Sequence, residues 1–113
     1  MDIDRDELIR RRDELALLDV RTAAEYSGEA GYPCDPRQGH IPGARHVDLS
    51  ELLERTPEQI RGLVGLPEGA EVVAYCHSGS RSALAAEALR LAGYEARNYA
   101  GSWHEWSRAE PDS

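Results

Sequence analysis

The groups best able to do chemistry crowd into Tyr75-Cys76-His77-Ser78-Gly79-Ser80-Arg81-Ser82, where a thiol, an imidazole, serine hydroxyls and a guanidinium share one short segment. The sequence on either side says how that segment is held. Glu71 to Tyr75 contains the apolar run Val72-Val73-Ala74 and reads as a strand. Arg81 to Leu91, rich in Ala and Leu, reads as an amphipathic helix that begins near Ser80 or Arg81 and stops at Gly93. Cys76 is therefore expected at the carboxyl end of a strand, facing a helix amino terminus whose free N–H groups and positive dipole end favour an anion. Such a thiol ionises near neutral pH and becomes a nucleophile. Ser78, Gly79 and Ser80 are small enough to let the loop curl so that successive N–H groups point inward, a cradle for a terminal sulfur or an oxyanion. Arg81 adds a fixed positive charge if it turns into the loop. The competing reading of Cys76 is a buried, unreactive strand-end cysteine, a common environment for this residue type.

The rest of the chain must position this loop. Asp6 to Glu14 places Leu8 and Ile9 among charges at helical spacing, and Leu15 to Val20 is a short apolar run that reads as a strand buried on both faces. Thr22 caps a short helix over Ala23 to Tyr26, and the turn formers Gly28, Gly31, Pro33, Asp35, Pro36 and Gly39 make 26–39 a loop. A second strand is expected over Arg45 to Leu49, followed by a helical turn capped by Ser50 and running through Glu54. Thr56-Pro57-Glu58-Gln59 opens a further helix, with Thr56 as cap, Pro57 in the first position and Gln59 as capping-box partner. Glu95 to Tyr99 is a fourth strand, and Ser102 is expected to cap a last helix near Trp103 to Ser107. Strands alternating with helices predict an α/β domain of three layers, with a central, mainly parallel sheet of about four to five strands flanked by helices on both faces. In such sheets ligands sit where strands end and helices begin. A length of 113 residues fits one domain, 1–113.

Composition narrows the function classes. With 41% hydrophobic and 30% charged residues the chain is expected to be a soluble globular protein. No run is long and apolar enough to span a bilayer, and the acidic start Met1-Asp2-Ile3-Asp4 lacks the order of a secretory signal, so the expected location is cytoplasmic. A formal charge of −8 repels phosphate backbones, and the basic run Arg10 to Arg12 is bracketed by Asp6, Glu7, Asp13 and Glu14, which excludes nucleic acid as the expected partner. The cysteines, Cys34 and Cys76, are read as free thiols. No pair among them and the histidines has the Cys-x-x-Cys or His-x-x-x-His spacing of zinc ligands, so no metal or other cofactor is expected.

The chain resembles the rhodanese family from about Leu17 to Trp106, on four stretches in the family's order: Leu18-Asp19-Val20-Arg21, Gly39-His40-Ile41-Pro42-Gly43-Ala44, the loop Cys76 to Arg81, and Asn98-Tyr99-Ala100-Gly101-Ser102-Trp103. The resemblance implies a rhodanese-like fold and a sulfurtransferase. Cys76 would attack the outer sulfur of a donor, hold it as a persulfide against the amides of His77, Ser78, Gly79, Ser80 and Arg81, and yield it to an acceptor. Donors would be a small sulfur-containing anion such as thiosulfate or mercaptopyruvate, or a protein persulfide; acceptors would be cyanide, a thiol or a carrier protein. Tyr26-Ser27-Gly28-Glu29 and Gly101 to Trp106 are most similar to the catalytic half of two-domain thiosulfate or mercaptopyruvate sulfurtransferases. Two departures bear on the donor. Those enzymes carry a substrate-binding arginine where this chain has Glu25, and the thiosulfate type carries a lysine where it has Ser78. Both changes disfavour a dianion, so thiosulfate is expected to be a poor substrate. The cysteine phosphatases that share the fold type have five residues between cysteine and arginine; here four separate Cys76 from Arg81, a ring better sized for one sulfur atom than for a phosphoryl group. A sulfur carrier or redox partner and a non-catalytic interaction or regulatory module are the alternatives, with a cysteine-dependent phosphatase or arsenate reductase the lesser enzyme reading.

Supporting roles are read as follows. Asp19 is a structural carboxylate bonding backbone or Arg21, or an acid-base group, because a buried carboxylate needs a partner; Arg21 pairs with an acidic neighbour. His77 either faces solvent or contacts substrate. His40 bonds a backbone group and fixes entry into the second strand. Cys34 is an incidental loop thiol unless it lies within bonding distance of Cys76. Trp103 and Trp106, three apart, read as core.

Overall fold

The computed structural model describes residues 2–109. Strands β1 (Ala16–Asp19), β2 (Arg45–His46), β3 (Glu71–Tyr75) and β4 (Glu95–Asn98) form one sheet in the order β2-β1-β3-β4, and all three pairings are parallel. Helices cover both faces: α1 (Arg5–Arg10), α2 (Ala23–Ser27), α3 (Leu49–Leu53), α4 (Pro57–Val64), α5 (Ser80–Leu91) and α6 (Ser102–Trp106). The architecture is the α/β sheet with flanking helices that the alternating pattern predicts.

Beyond its first residue each central strand is buried throughout, which is why β1 and β3 read as unbroken apolar runs. Side chains alternate between two cores. Leu18, Val72, Ala74 and Cys76 join Leu52 of α3, Ile60 and Val64 of α4, and Ala85, Ala86 and Leu89 of α5. Leu17, Val73 and Tyr75 join Leu8 of α1, Ile41, and Trp103 and Trp106 of α6. The alternation thus aims the Cys76 side chain at α5.

Local signals act as expected at two helix starts. Thr22 and Thr56 each accept from the backbone three residues on, and Glu25 and Gln59 return the bond, closing two capping boxes. Elsewhere the chain departs from expectation. β2 is only two residues long, because Asp48 rather than Ser50 caps α3: its carboxylate accepts from the Ser50 amide at 3.0 Å, and the helix starts at Leu49. The segment 6–14 is not one helix: α1 is capped by Asp4, ends at Arg10, and is followed by a 3-10 turn over Arg12–Glu14. Ser102 does not cap α6. It is the first residue of that helix, at the left-handed φ of 54°, and its hydroxyl turns toward the active loop. No helix among the described residues is long and apolar enough to cross a membrane.

Candidate active site

Cys76 follows β3 directly, and its sulfur, in a residue only 1% exposed, accepts three hydrogen bonds: from the Gly79 amide at 3.1 Å, the Ser82 amide at 3.4 Å and the Ser82 hydroxyl at 3.3 Å. Burial pushes the thiol pKa up. Those donors, the Ser82 hydroxyl and amide and the Gly79 amide, with a smaller pull from the Ser78 amide, outweigh that push, so the pKa lies below its ordinary value.

The turn that makes this possible depends on Gly79. It stands immediately before α5 at φ +100°, and a Cβ there would lie 2.7 Å from the Ala100 carbonyl oxygen. The loop thus presses against the segment linking β4 to α6. That segment holds it from behind. The Cys76 amide donates to the Ser102 hydroxyl at 3.1 Å, and the amides of Trp103 and His104, in the first turn of α6, donate to the carbonyls of Cys76 and His77 at 2.9 Å each. The Ser102 hydroxyl in turn donates to the Tyr99 carbonyl at 2.8 Å.

The charged residues face partners. Arg81 makes a two-pronged ion pair with Glu25 at 2.9 and 3.0 Å, tying α5 to α2. Burial works to raise the Glu25 pKa, but Arg81 and the Thr22 bonds bring it down to about 2, so the carboxylate is ionised at neutral pH. Glu25, Gly31, Tyr32, Pro33 and Arg81 line a recess of about 230 Å³. Asp19 and Arg21, exposed by 0% and 1%, pair at 2.7 Å, and Arg21 also donates to the Gly39 carbonyl, so this pair braces the long loop against β1. His40 bonds the Tyr26 carbonyl through Nδ1 at 2.8 Å and stacks on the Tyr26 ring.

His77 turns its Nε2 to Asp35 at 3.0 Å and stacks under Tyr32, with ring centroids 3.7 Å apart. Asp35 also takes Arg108 at 2.8 Å. His77 therefore anchors the 28–39 segment beside Cys76. Asp35, His77 and His104 converge closely enough to hold a cation, a grouping their sequence spacing gives no sign of; Arg108 already neutralises the carboxylate, which disfavours a second positive charge. Cys34 is a free, exposed thiol on the same segment.

Of the residues singled out in sequence, Gly79 meets the Cys76 sulfur through its amide, Arg81 stands beside them on Glu25, His77 turns to Asp35, and Asp19 and Arg21 form the brace. Ser82, Asn98 and Ser102 are contributors that the sequence reading quotes within its motifs but gives no role at the sulfur. Ser82 could have been found from helix geometry, since a residue in the first turn of α5 sits over the turn preceding it.

A profile of the Rhodanese-like domain matches residues 4–109. A probable 3-mercaptopyruvate sulfurtransferase of Pseudomonas aeruginosa is 43% identical over 103 residues, covering 81% of this chain and 36% of that protein. The sulfur carrier protein TtuD of Thermus thermophilus is 36% identical over 107 residues, covering 80% of this chain and 38% of that protein. A crystal structure of a probable thiosulfate sulfurtransferase superposes with a TM-score of 0.83 at 46% identity, over 95% of this chain and 44% of the other. The chain thus spans well under half the length of these relatives. On sequence and on fold, it belongs to the rhodanese-like domain family.

Proposed function

We propose that this domain is a sulfurtransferase working through a Cys76 persulfide. The observation that carries the reading is the sulfur of Cys76 at the focus of the Gly79 amide and the Ser82 amide and hydroxyl, an arrangement that holds negative charge on sulfur. The Cys76 thiolate attacks the outer sulfur of the donor. An S–S bond forms on Cys76 while the donor's S–S or C–S bond breaks, and its electron pair leaves with sulfite, with the enolate of pyruvate or, for a protein persulfide, with the donor protein's thiolate. A thiol, cyanide or carrier-protein acceptor then attacks that outer sulfur, and the Cys76 thiolate departs with the S–S electrons. The low exposure of Cys76 shelters the persulfide from bulk nucleophiles.

Among donors, mercaptopyruvate, with one carboxylate, or a protein persulfide fits better than thiosulfate. Arg81 spends its charge on Glu25 and offers little to a dianion. The same pairing favours a second reading, a carrier loaded by another protein, which the name of the Thermus relative also supports. Free thiols at both cysteines suit a reducing, cytoplasmic setting.

The test is intact mass after incubation with mercaptopyruvate or thiosulfate, beside Cys76→Ala. One added sulfur, about 32 daltons, absent from Cys76→Ala and discharged by cyanide, is the expected result. No adduct from either donor with a readily alkylated Cys76 favours the carrier reading, and a Cys76 inert to alkylation overturns covalent transfer altogether.

A further inference from the structure

Behind the Cys76 sulfur lies a proton that two acceptors compete for. The Ser82 hydroxyl is 3.3 Å from Sγ of Cys76 and 2.6 Å from Oδ1 of Asn98, which stands at the end of β4. All three residues are buried. A hydroxyl has one proton to donate, so it can donate to only one of these acceptors at a time. Asn98 cannot resolve the conflict by flipping its amide, because its Nδ2 donates to the Gly79 carbonyl at 3.1 Å and a flip would set two oxygens against each other.

We propose that Ser82 and Asn98 form a one-proton switch: the Ser82 hydroxyl turns to the sulfur when Cys76 is a thiolate, and back to Asn98 when the sulfur is protonated or carries a transferred atom. The proposal rests on the sulfur-transfer reading for its second half only. No covalent bond changes at Ser82; its O–H rotates, giving up one hydrogen bond and making another. A divalent sulfur is a weak acceptor and releases the hydroxyl to Asn98, whereas a thiolate is a charged acceptor and takes it. In the thiolate state the buried Asn98 oxygen is left without its donor, which costs free energy. Asn98 therefore penalises the empty thiolate against the loaded persulfide and keeps the sulfur more basic, hence more nucleophilic, than Ser82 alone would leave it. Asn98 and Ser82 are thus positioning residues with opposite influence on one atom.

The charged side chains around Cys76 are already paired. Arg81 of α5 is held by Glu25 of α2, Asp19 of β1 by Arg21, and His77 turns to Asp35. The loop also keeps a second tether if Asn98 is lost, since the Gly79 carbonyl accepts from Ala83 in the first turn of α5.

The test is the pH dependence of Cys76 alkylation in a Cys34→Ser background, which removes the exposed second thiol. Ser82→Ala should raise the inflection by about one pH unit, the worth of a hydrogen bond to a charged group, and Ser82→Thr should restore it. Asn98→Ala should lower the inflection, Asn98→Asp should raise it, and Asn98→Ala should have no effect once Ser82 is Ala. A merely structural Asn98 would raise the inflection on truncation, as loosening the loop does, and would act equally with or without the Ser82 hydroxyl; either result overturns the switch. If Ser82→Ala does not fold, the opposed signs of Asn98→Ala and Asn98→Asp decide alone. Sulfur loading is followed separately by mass, so shifts of the expected sign without loading count against the transfer reading and leave the switch at the thiol standing.

Discussion

At the scale of single residues, the site is a matter of backbone approach. Gly79 holds a left-handed φ of +100° and lets the Ala100 carbonyl come within a distance no Cβ tolerates. Gly79→Ala faces both penalties, so it should lose about 2–3 kcal/mol in urea unfolding. It should also slow Cys76 alkylation at neutral pH, because the Gly79 amide moves away from the sulfur. Full alkylation rate in a folded Gly79→Ala protein would show that this amide does not support the thiolate. The loop around Cys76 was legible in the sequence, because strand, cysteine, small residues and helix are contiguous. Asn98 was not legible as a site residue. It meets Ser82 across 16 positions through the pairing of β3 with β4, and an asparagine in a strand carries no local sign of its partner.

At the scale of elements, α2 and α5 are joined by the Glu25–Arg81 pair, and Glu25 also completes the capping box of α2. The capping signal was readable from Thr22, whereas the ion pair spans 56 positions and required the fold. Glu25→Gln keeps a box-competent side chain but removes the charge, freeing Arg81. Thiosulfate turnover, as kcat/KM, should then rise roughly 3- to 10-fold relative to mercaptopyruvate, since a dianion gains more from an unpaired guanidinium than a monoanion does. An unchanged ratio would remove Glu25 from donor selection. The same pair sets an acid limit. The Glu25 pKa is depressed from 4.5 to about 2, so its stabilisation is complete above the ordinary carboxylate range and is lost as pH falls from about 4.5 toward 2. Over that window wild-type stability should fall more steeply than that of Glu25→Gln.

At the scale of the whole molecule, Cys76 directly follows a strand, β3, whose side chains enter both cores. Val72 faces the α3, α4 and α5 side and Val73 the α1 and α6 side, each with no exposed surface. The continuous apolar run made β3 recognisable in sequence, but which valine faces which helices follows only from where α5 and α6 pack. Truncating either to Ala removes two methyl groups and leaves a small cavity, at about 2–3 kcal/mol each. For a domain of this size that lowers Tm by about 10 °C. The two side chains point to opposite faces and share no core cluster, so the double variant should lose about the sum of the single losses. Each variant should still unfold in one transition, because a single sheet couples both cores. Below the transition, Cys76 alkylation should stay at the wild-type rate, since the sulfur's donors come from the loop and α5 rather than from either valine. Two separate unfolding steps in Val73→Ala would mean that the α1 and α6 face melts independently, and that the loop is held by the α5 face alone.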